Sequence, residues 1–170
     1  GETVLCVFIN LKQDAIIVEK RTVGGDGAFS FTSPQLGAFS LATANGLASR
    51  TFSGLAAGTY NITERVPAGW VQSGATCSNG ATPDSLSLAP GLTVRCIFTN
   101  TELGTITMQK RTVGGDGAFT FSGGLGNFSL ATAGGFGQRS FANLAAGAYS
   151  VSEIVPAGWD RTGATCSDGS

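Results

Sequence analysis

The chain has 170 residues, no histidine, 12% charged residues and a net charge of −1. A near-neutral charge excludes a phosphate-backbone partner, which needs a basic field, and gives no attraction to an anionic membrane surface. Without histidine there is no Ser-His-Asp or Cys-His pair and the commonest metal ligand is missing. Hydrophobic residues at 42% are enough for a packed core, and no apolar run approaches the roughly 20 residues of a membrane span.

In chain order, Val4-Leu5-Cys6-Val7-Phe8-Ile9-Asn10 opens as a strand, and a second strand begins at Ala15, with Ile16, Val18 and Lys20 alternating on one face. Phe29, Phe31, Phe39, Leu41 and Phe52 supply core candidates. Tyr60-Asn61-Ile62-Thr63-Glu64-Arg65-Val66 and Val94 to Asn100 again alternate with period two. Turns are marked by Gly24-Gly25-Asp26-Gly27, Asn45-Gly46, Pro67-Ala68-Gly69, Asn79-Gly80 and Pro90-Gly91. No segment has a 3.6-residue period. The expected fold is all-β, an antiparallel β-sandwich in tandem.

The tandem arrangement comes from an internal repeat. Arg21 to Gly27 recurs as Arg111 to Gly117, Phe39 to Thr43 as Phe128 to Thr132, Glu64 to Trp70 as Glu153 to Trp159, and Gly74 to Ser78 as Gly163 to Ser167. A period of roughly 90 residues suits a small sandwich domain rather than a solenoid unit. The repeat is cut out of phase: Val4 to Asn10 matches Val94 to Asn100, the last strand of the complete repeat, and Ser170 precedes the point where the second repeat's last strand would begin. We therefore expect residues 1–10 to be the last strand of a preceding repeat or of a neighbouring subunit. Residues 11–102 form a complete repeat, and 103–170 a repeat lacking its last strand. No secretory leader is visible, which fits a mature chain or a piece of a longer one. An unfilled sheet edge needs a partner, either an adjacent repeat or a copy of the chain donating Val4–Asn10 head-to-tail. Such non-closing contacts build filaments.

Strand alternation places Lys20, Glu64 and Asn100 on the apolar face of three strands. Lys110 and Glu153 repeat the first two, and Asn10 matches Asn100. Three explanations stand: polar tips reaching water at strand ends, a Lys–Glu ion pair fixing register, or covalent chemistry. In the last, burial disfavours charge, a neutral lysine attacks the asparagine carboxamide, ammonia leaves, and the glutamate polarises the carbonyl and moves protons. Contact between the groups supplies the effective concentration.

The order of lysine on the first strand, the Tyr60 to Trp70 stretch around Glu64, and Phe98-Thr99-Asn100-Thr101 resembles the prealbumin-like, SpaA/CnaB-type repeat domains of bacterial surface proteins and pili. The resemblance implies an isopeptide triad of Lys20, Glu64 and Asn100. It also implies two thirds of a triad in Lys110 and Glu153, and a further acceptor in Asn10. The glutamates assist autocatalytically, so the chain is not an enzyme acting on outside substrates. Within this layout Cys77 and Cys96 form an intradomain disulfide, with a stabilisation of about 3 kcal/mol. Cys166 awaits the cysteine of the next last strand, Cys6 of a neighbour or of a following repeat. Disulfides place the chain in an oxidising, extracellular setting, on a cell surface or in a secreted filament.

The implied function is a structural segment of a surface fibre or adhesive stalk, with no cofactor or metal and no nucleic-acid partner. The alternative is an adhesin module whose loops recognise carbohydrate or host matrix protein. Trp70 and Trp159, after Pro-Ala-Gly, read as core-plugging corners rather than sugar platforms. Gly24 to Gly27 reads as a plain turn, since one Asp cannot supply the ligands of a calcium site. Asn61 and Asn127 open glycosylation sequons.

Overall fold

Alternation from Asp14 to Val23 makes a ten-residue first strand whose inward side chains, Ile16, Val18 and Lys20, are wholly buried. The computed structural model describes residues 1–10 and 13–169. The expected first residue of the complete repeat, residue 11, lies outside them. The chain divides into two units, Gly1–Leu103 and the residues from Gly104 onward. The fold is all-β, with no α-helix among the described residues and a single 3-10 turn at Pro83–Ser85.

In the first unit the strands are β1 (Asp14–Val23), β2 (Ala28–Thr32), β3 (Phe39–Ala42), β4 (Leu47–Leu55), β5 (Gly58–Tyr60), β6 (Thr63–Arg65), β7 (Trp70–Cys77), β8 (Leu86–Leu88) and β9 (Thr93–Glu102). One sheet has the order β4-β1-β9-β7, a second β3-β2-β6, and β5 pairs with β8. The pairs are antiparallel except β1 with β9, which run parallel, Lys20 opposite Phe98 and Thr22 opposite Asn100. First and last strands are thus neighbours in the middle of one sheet. Between the sheets lie Ile16, Val18, Phe29, Phe31, Ile62, Leu86, Val94, Cys96 and Phe98, each no more than 2% exposed. Phe31 stacks on Phe39 and meets Phe98 edge-on.

The second unit contains β10 (Gly104–Arg111), β11 (Ala118–Gly123), β12 (Phe128–Ala131), β13 (Phe136–Leu144) and β14 (Val151–Ile154). Here β10 pairs with β13, and β12, β11 and β14 form the other sheet. Its buried core is Phe119, Phe121, Phe128 and Leu130, with Met108, Phe141, Val151 and Trp159 partly covered. The segment Val4–Asn10 joins no sheet, and its large apolar side chains are exposed, Phe8 at 92%.

The β3–β4 turn shows how the repeat is locally encoded. Asn45 (φ 54°) and Gly46 (φ 78°) both lie in the left-handed region, as a two-residue I′ hairpin loop requires. In the second unit Gly134 (φ 61°) and Gly135 (φ 79°) take the same places.

Candidate cross-linking site

The three polar residues that alternation turned inward meet in the first unit. Lys20 comes from β1, Asn100 from the neighbouring β9, and Glu64 from β6, opposite Phe31 in the facing sheet. The side chains of Lys20 and Glu64 and the whole of Asn100 are 0% exposed. That exposure excludes strand-end tips in water.

Lys20 Nζ lies 3.1 Å from Glu64 Oε1. It also donates to the carbonyls of Phe98 and Arg21, each at 3.3 Å. The ring of Phe29 lies beneath it, 4.2 Å from nitrogen to centroid, and is closed in turn by the edge of Trp70 at 5.2 Å. Burial lowers the pKa of Lys20 from its ordinary 10.5, against the opposing hydrogen bond and charge of Glu64. The glutamate is the hub. Its Oε1 accepts from Asn100 Nδ2 at 3.0 Å as well as facing the lysine, and its Oε2 accepts from Gln72 Nε2 at 2.8 Å. Asn100 Oδ1 is buried and has no hydrogen-bond partner. An orphaned buried acceptor costs about 1–3 kcal/mol. The two ends of a carboxamide are nearly isosteric, so rotating the amide presents Oδ1 to Glu64. A protonated Glu64 would then donate to it.

In the second unit Lys110 Nζ and Glu153 Oε1 stand 2.5 Å apart, with side chains 16% and 8% exposed. Lys110 sits over Phe119 at 4.2 Å, and Trp159 closes that ring at 5.1 Å. The lysine, glutamate, phenylalanine and tryptophan of the first site are all reproduced, but among the described residues no asparagine stands in the place of Asn100. A groove of about 210 Å³ opens there instead, lined by Lys110, Glu153, Phe119, Trp159 and Arg161 among others. Asn10 is exposed on the opening segment.

Cys77 and Cys96 are directly opposed on β7 and β9 and form a disulfide, Cα–Cα 4.0 Å. Cys6 and Cys166 are free and exposed. Among the described residues no cluster of three or more His, Cys, Asp or Glu side chains is placed to hold a metal, and no helix is long and apolar enough to cross a membrane.

Two features escaped sequence reasoning. Gln72, the second anchor of Glu64, lies in a strand whose register shifts between Gln72 and Gly74, so simple alternation does not predict its direction. Glu19, on the outward face of β1, is nonetheless 6% exposed. Arg21 (2.6 Å) and Arg95 (3.0 Å) clamp it. Only the register shows why: Arg95 is opposite Ile17, diagonal to Glu19 on the adjacent strand.

Among solved structures the chain is similar to the Bacillus anthracis TIE protein, at 18% identity and a TM-score of 0.39, covering 85% of this chain and 28% of that one. The chain thus spans under a third of that protein's length. No curated protein matches the chain. Residues 16–102 and 106–170 match the SpaA_4 prealbumin-like fold domain, so the chain belongs to that family as two successive domains.

Proposed function

We propose that the chain is a structural segment of an extracellular surface fibre or stalk, whose first unit is locked by an amide between Lys20 and Asn100. The observation that carries this reading is the enclosed contact of Lys20, Glu64 and Asn100 with Oδ1 left unpartnered. Transfer of one proton from Lys20 Nζ to Glu64 removes both charges from a dry site. The neutral amine then attacks Asn100 Cγ while the carboxyl of Glu64 donates to Oδ1. Glu64 carries a proton from Nζ to the leaving nitrogen, the C–Nδ2 bond breaks and ammonia departs. The balance is one amine plus one carboxamide giving one secondary amide plus ammonia. No outside substrate takes part.

Topology gives the bond a mechanical meaning. In a parallel pair, the start of β1 and the end of β9 lie at opposite ends of the sheet, about 30 Å apart for ten-residue strands. Tension along the chain would shear the β1–β9 ladder. With Lys20 joined to Asn100, force enters at Asp14, crosses at Lys20 and leaves at Glu102, so residues 21–99 carry none of it. The disulfide lies inside that shielded stretch. Its presence supports an oxidising location.

The test is the intact mass of the reduced, denatured chain, with Lys20→Ala as control. The expected result is a mass lower by one ammonia in the wild type and unshifted in the variant. An unshifted wild-type mass sinks the covalent reading and leaves Lys20–Glu64 as an ion pair that sets register.

A further inference from the structure

We infer that Gln72 is a positioning residue for the Lys20–Asn100 reaction: it holds Glu64 Oε2 so that the proton taken from the lysine stays on Oε1, the oxygen that faces both reacting groups. The inference rests on the amide-forming reading of the site and deepens it.

A bulge in β7 delivers the glutamine. Cys77 and Ala75 lie opposite Cys96 and Phe98, whose side chains are buried in the core. Alternation carried on from them would turn Ser73 inward and Gln72 outward. The register instead steps from Gly74 opposite Thr99 to Gln72 opposite Asn100, which makes Ser73 an extra residue. An extra residue re-aims the side chains beyond it. Trp70 consequently packs on the core, and Gln72 shares a face with Asn100. Ser73 is fixed on the other face, where it donates to the carbonyl of Thr99 at 3.3 Å and accepts from Thr101 Oγ1 at 3.2 Å.

The two oxygens of Glu64 have different surroundings. Oε1 lies 3.1 Å from Lys20 Nζ and accepts from Asn100 Nδ2 at 3.0 Å. Oε2 accepts from Gln72 Nε2 at 2.8 Å. An amide N–H only donates, so it disfavours a proton on Oε2 and leaves Oε1 as the proton's place. From there the proton reaches both the amine and the carboxamide without rotation of the carboxyl. Glu64 also borders an open cavity of about 330 Å³, together with Ile62, Ala75 and Phe98. Gln72 is exposed while the side chain of Glu64 is not, so the glutamine stands between the carboxyl and solvent. Without it, water entering from the cavity would solvate Oε2, favour the carboxylate and keep Lys20 charged.

The test follows the loss of ammonia in time. Full-length chains are dissolved from inclusion bodies in denaturant, refolded by dilution with oxidised and reduced glutathione, and sampled by intact mass after reduction. Gln72→Leu is similar in size but has no donor. It should fold, as tryptophan fluorescence reports, and lose ammonia more slowly than the wild type by about tenfold or more. Gln72→Glu gives the readout that a merely structural role would not move. At about pH 7.5 its added carboxylate accepts from Oε2 and draws the proton to the wrong oxygen, so the reaction is slow. Towards about pH 4.5 the added carboxyl becomes protonated and donates to Oε2 as the glutamine does, so the rate climbs back towards that of the wild type. The wild-type rate should not rise over that range. This comparison lies within one variant and does not depend on how well Gln72→Leu folds. Wild-type kinetics in Gln72→Leu, or a Gln72→Glu rate that does not climb as pH falls, overturns the inference and leaves the amide reading intact. No ammonia loss in the wild type removes both.

Discussion

The two units are near-duplicates in sequence, yet among the described residues the lysine strand of the first pairs with β9 and that of the second has no such neighbour, so comparing them shows what that neighbour contributes. Where β9 is present, Ile16, Val18 and Lys20 are fully buried. Where it is absent, Ile106, Met108 and Lys110 are only partly covered. The loss spreads beyond the missing neighbour. Trp70–Cys77 is a strand because β9 pairs with it, and the matching stretch from Trp159 to Cys166 has no strand. Gly58–Tyr60 is a strand because β8 pairs with it, and Gly147–Tyr149 is not one. Local sequence is nearly the same in both places, so strand formation here is decided by the availability of a ladder partner rather than by propensity.

The strongest way to break the comparison is at the lysines. Lys20→Ala strips the partner from the buried side chain of Glu64, so the first unit should lose about 3–5 kcal/mol. Asn100→Ala removes one hydrogen bond to Glu64 but keeps the Lys20–Glu64 pair, and should cost less. Lys110→Ala, in a partly open site, should cost least of the three. Each unit has one tryptophan. Denaturant unfolding followed by fluorescence in a Trp159→Phe or Trp70→Phe background therefore reads each unit separately. Equal losses for Lys20→Ala and Lys110→Ala would remove the argument that the last strand seals the site.

The disulfide sharpens the comparison next. Replacing Cys77 and Cys96 together by Ser should destabilise the first unit by about 3 kcal/mol from loop-closure entropy. The second unit's transition should not move. A comparable shift in both would mean that the units unfold as one cooperative body.

Much of the site was legible because strand periodicity is a strict rule. Knowing that Ile16 and Val18 face inward fixes Lys20, and the same step fixes Glu64 from Ile62 and Asn100 from Phe98. The disulfide partners followed from placing Cys77 beside the last strand. The parallel pairing of β1 and β9 was not legible. Alternation says which face a residue takes and nothing about strand direction, and about seventy residues of connection lie between the two strands. Gln72 was hidden by the register shift beside it, and the burial of Glu19 depends on two arginines closing over an outward face.

The smallest expected effect is one the two units should share, and it serves as the control. Asp26 accepts from the backbone N–H groups of Asn45 (2.9 Å) and Gly46 (2.7 Å), and Asp116 does the same for Gly134 (2.9 Å) and Gly135 (2.8 Å). Those bonds, led by Gly46 and Gly135, hold each carboxyl below its ordinary 3.8. A carboxyl depressed on folding contributes stability above its unfolded value and loses it as pH falls through the lower folded value. Asp26→Asn and Asp116→Asn should therefore each flatten the acid limb of their own unit's stability curve below about pH 4, by matching amounts. The hairpin that each aspartate pins leads into β4 or β13, on one side of the lysine strand, and β9 pairs on the other side of β1, so the hairpin's behaviour should not depend on that strand. An acid response confined to the first unit would show that the missing strand reaches even this turn, and that the two repeats differ throughout rather than along one edge.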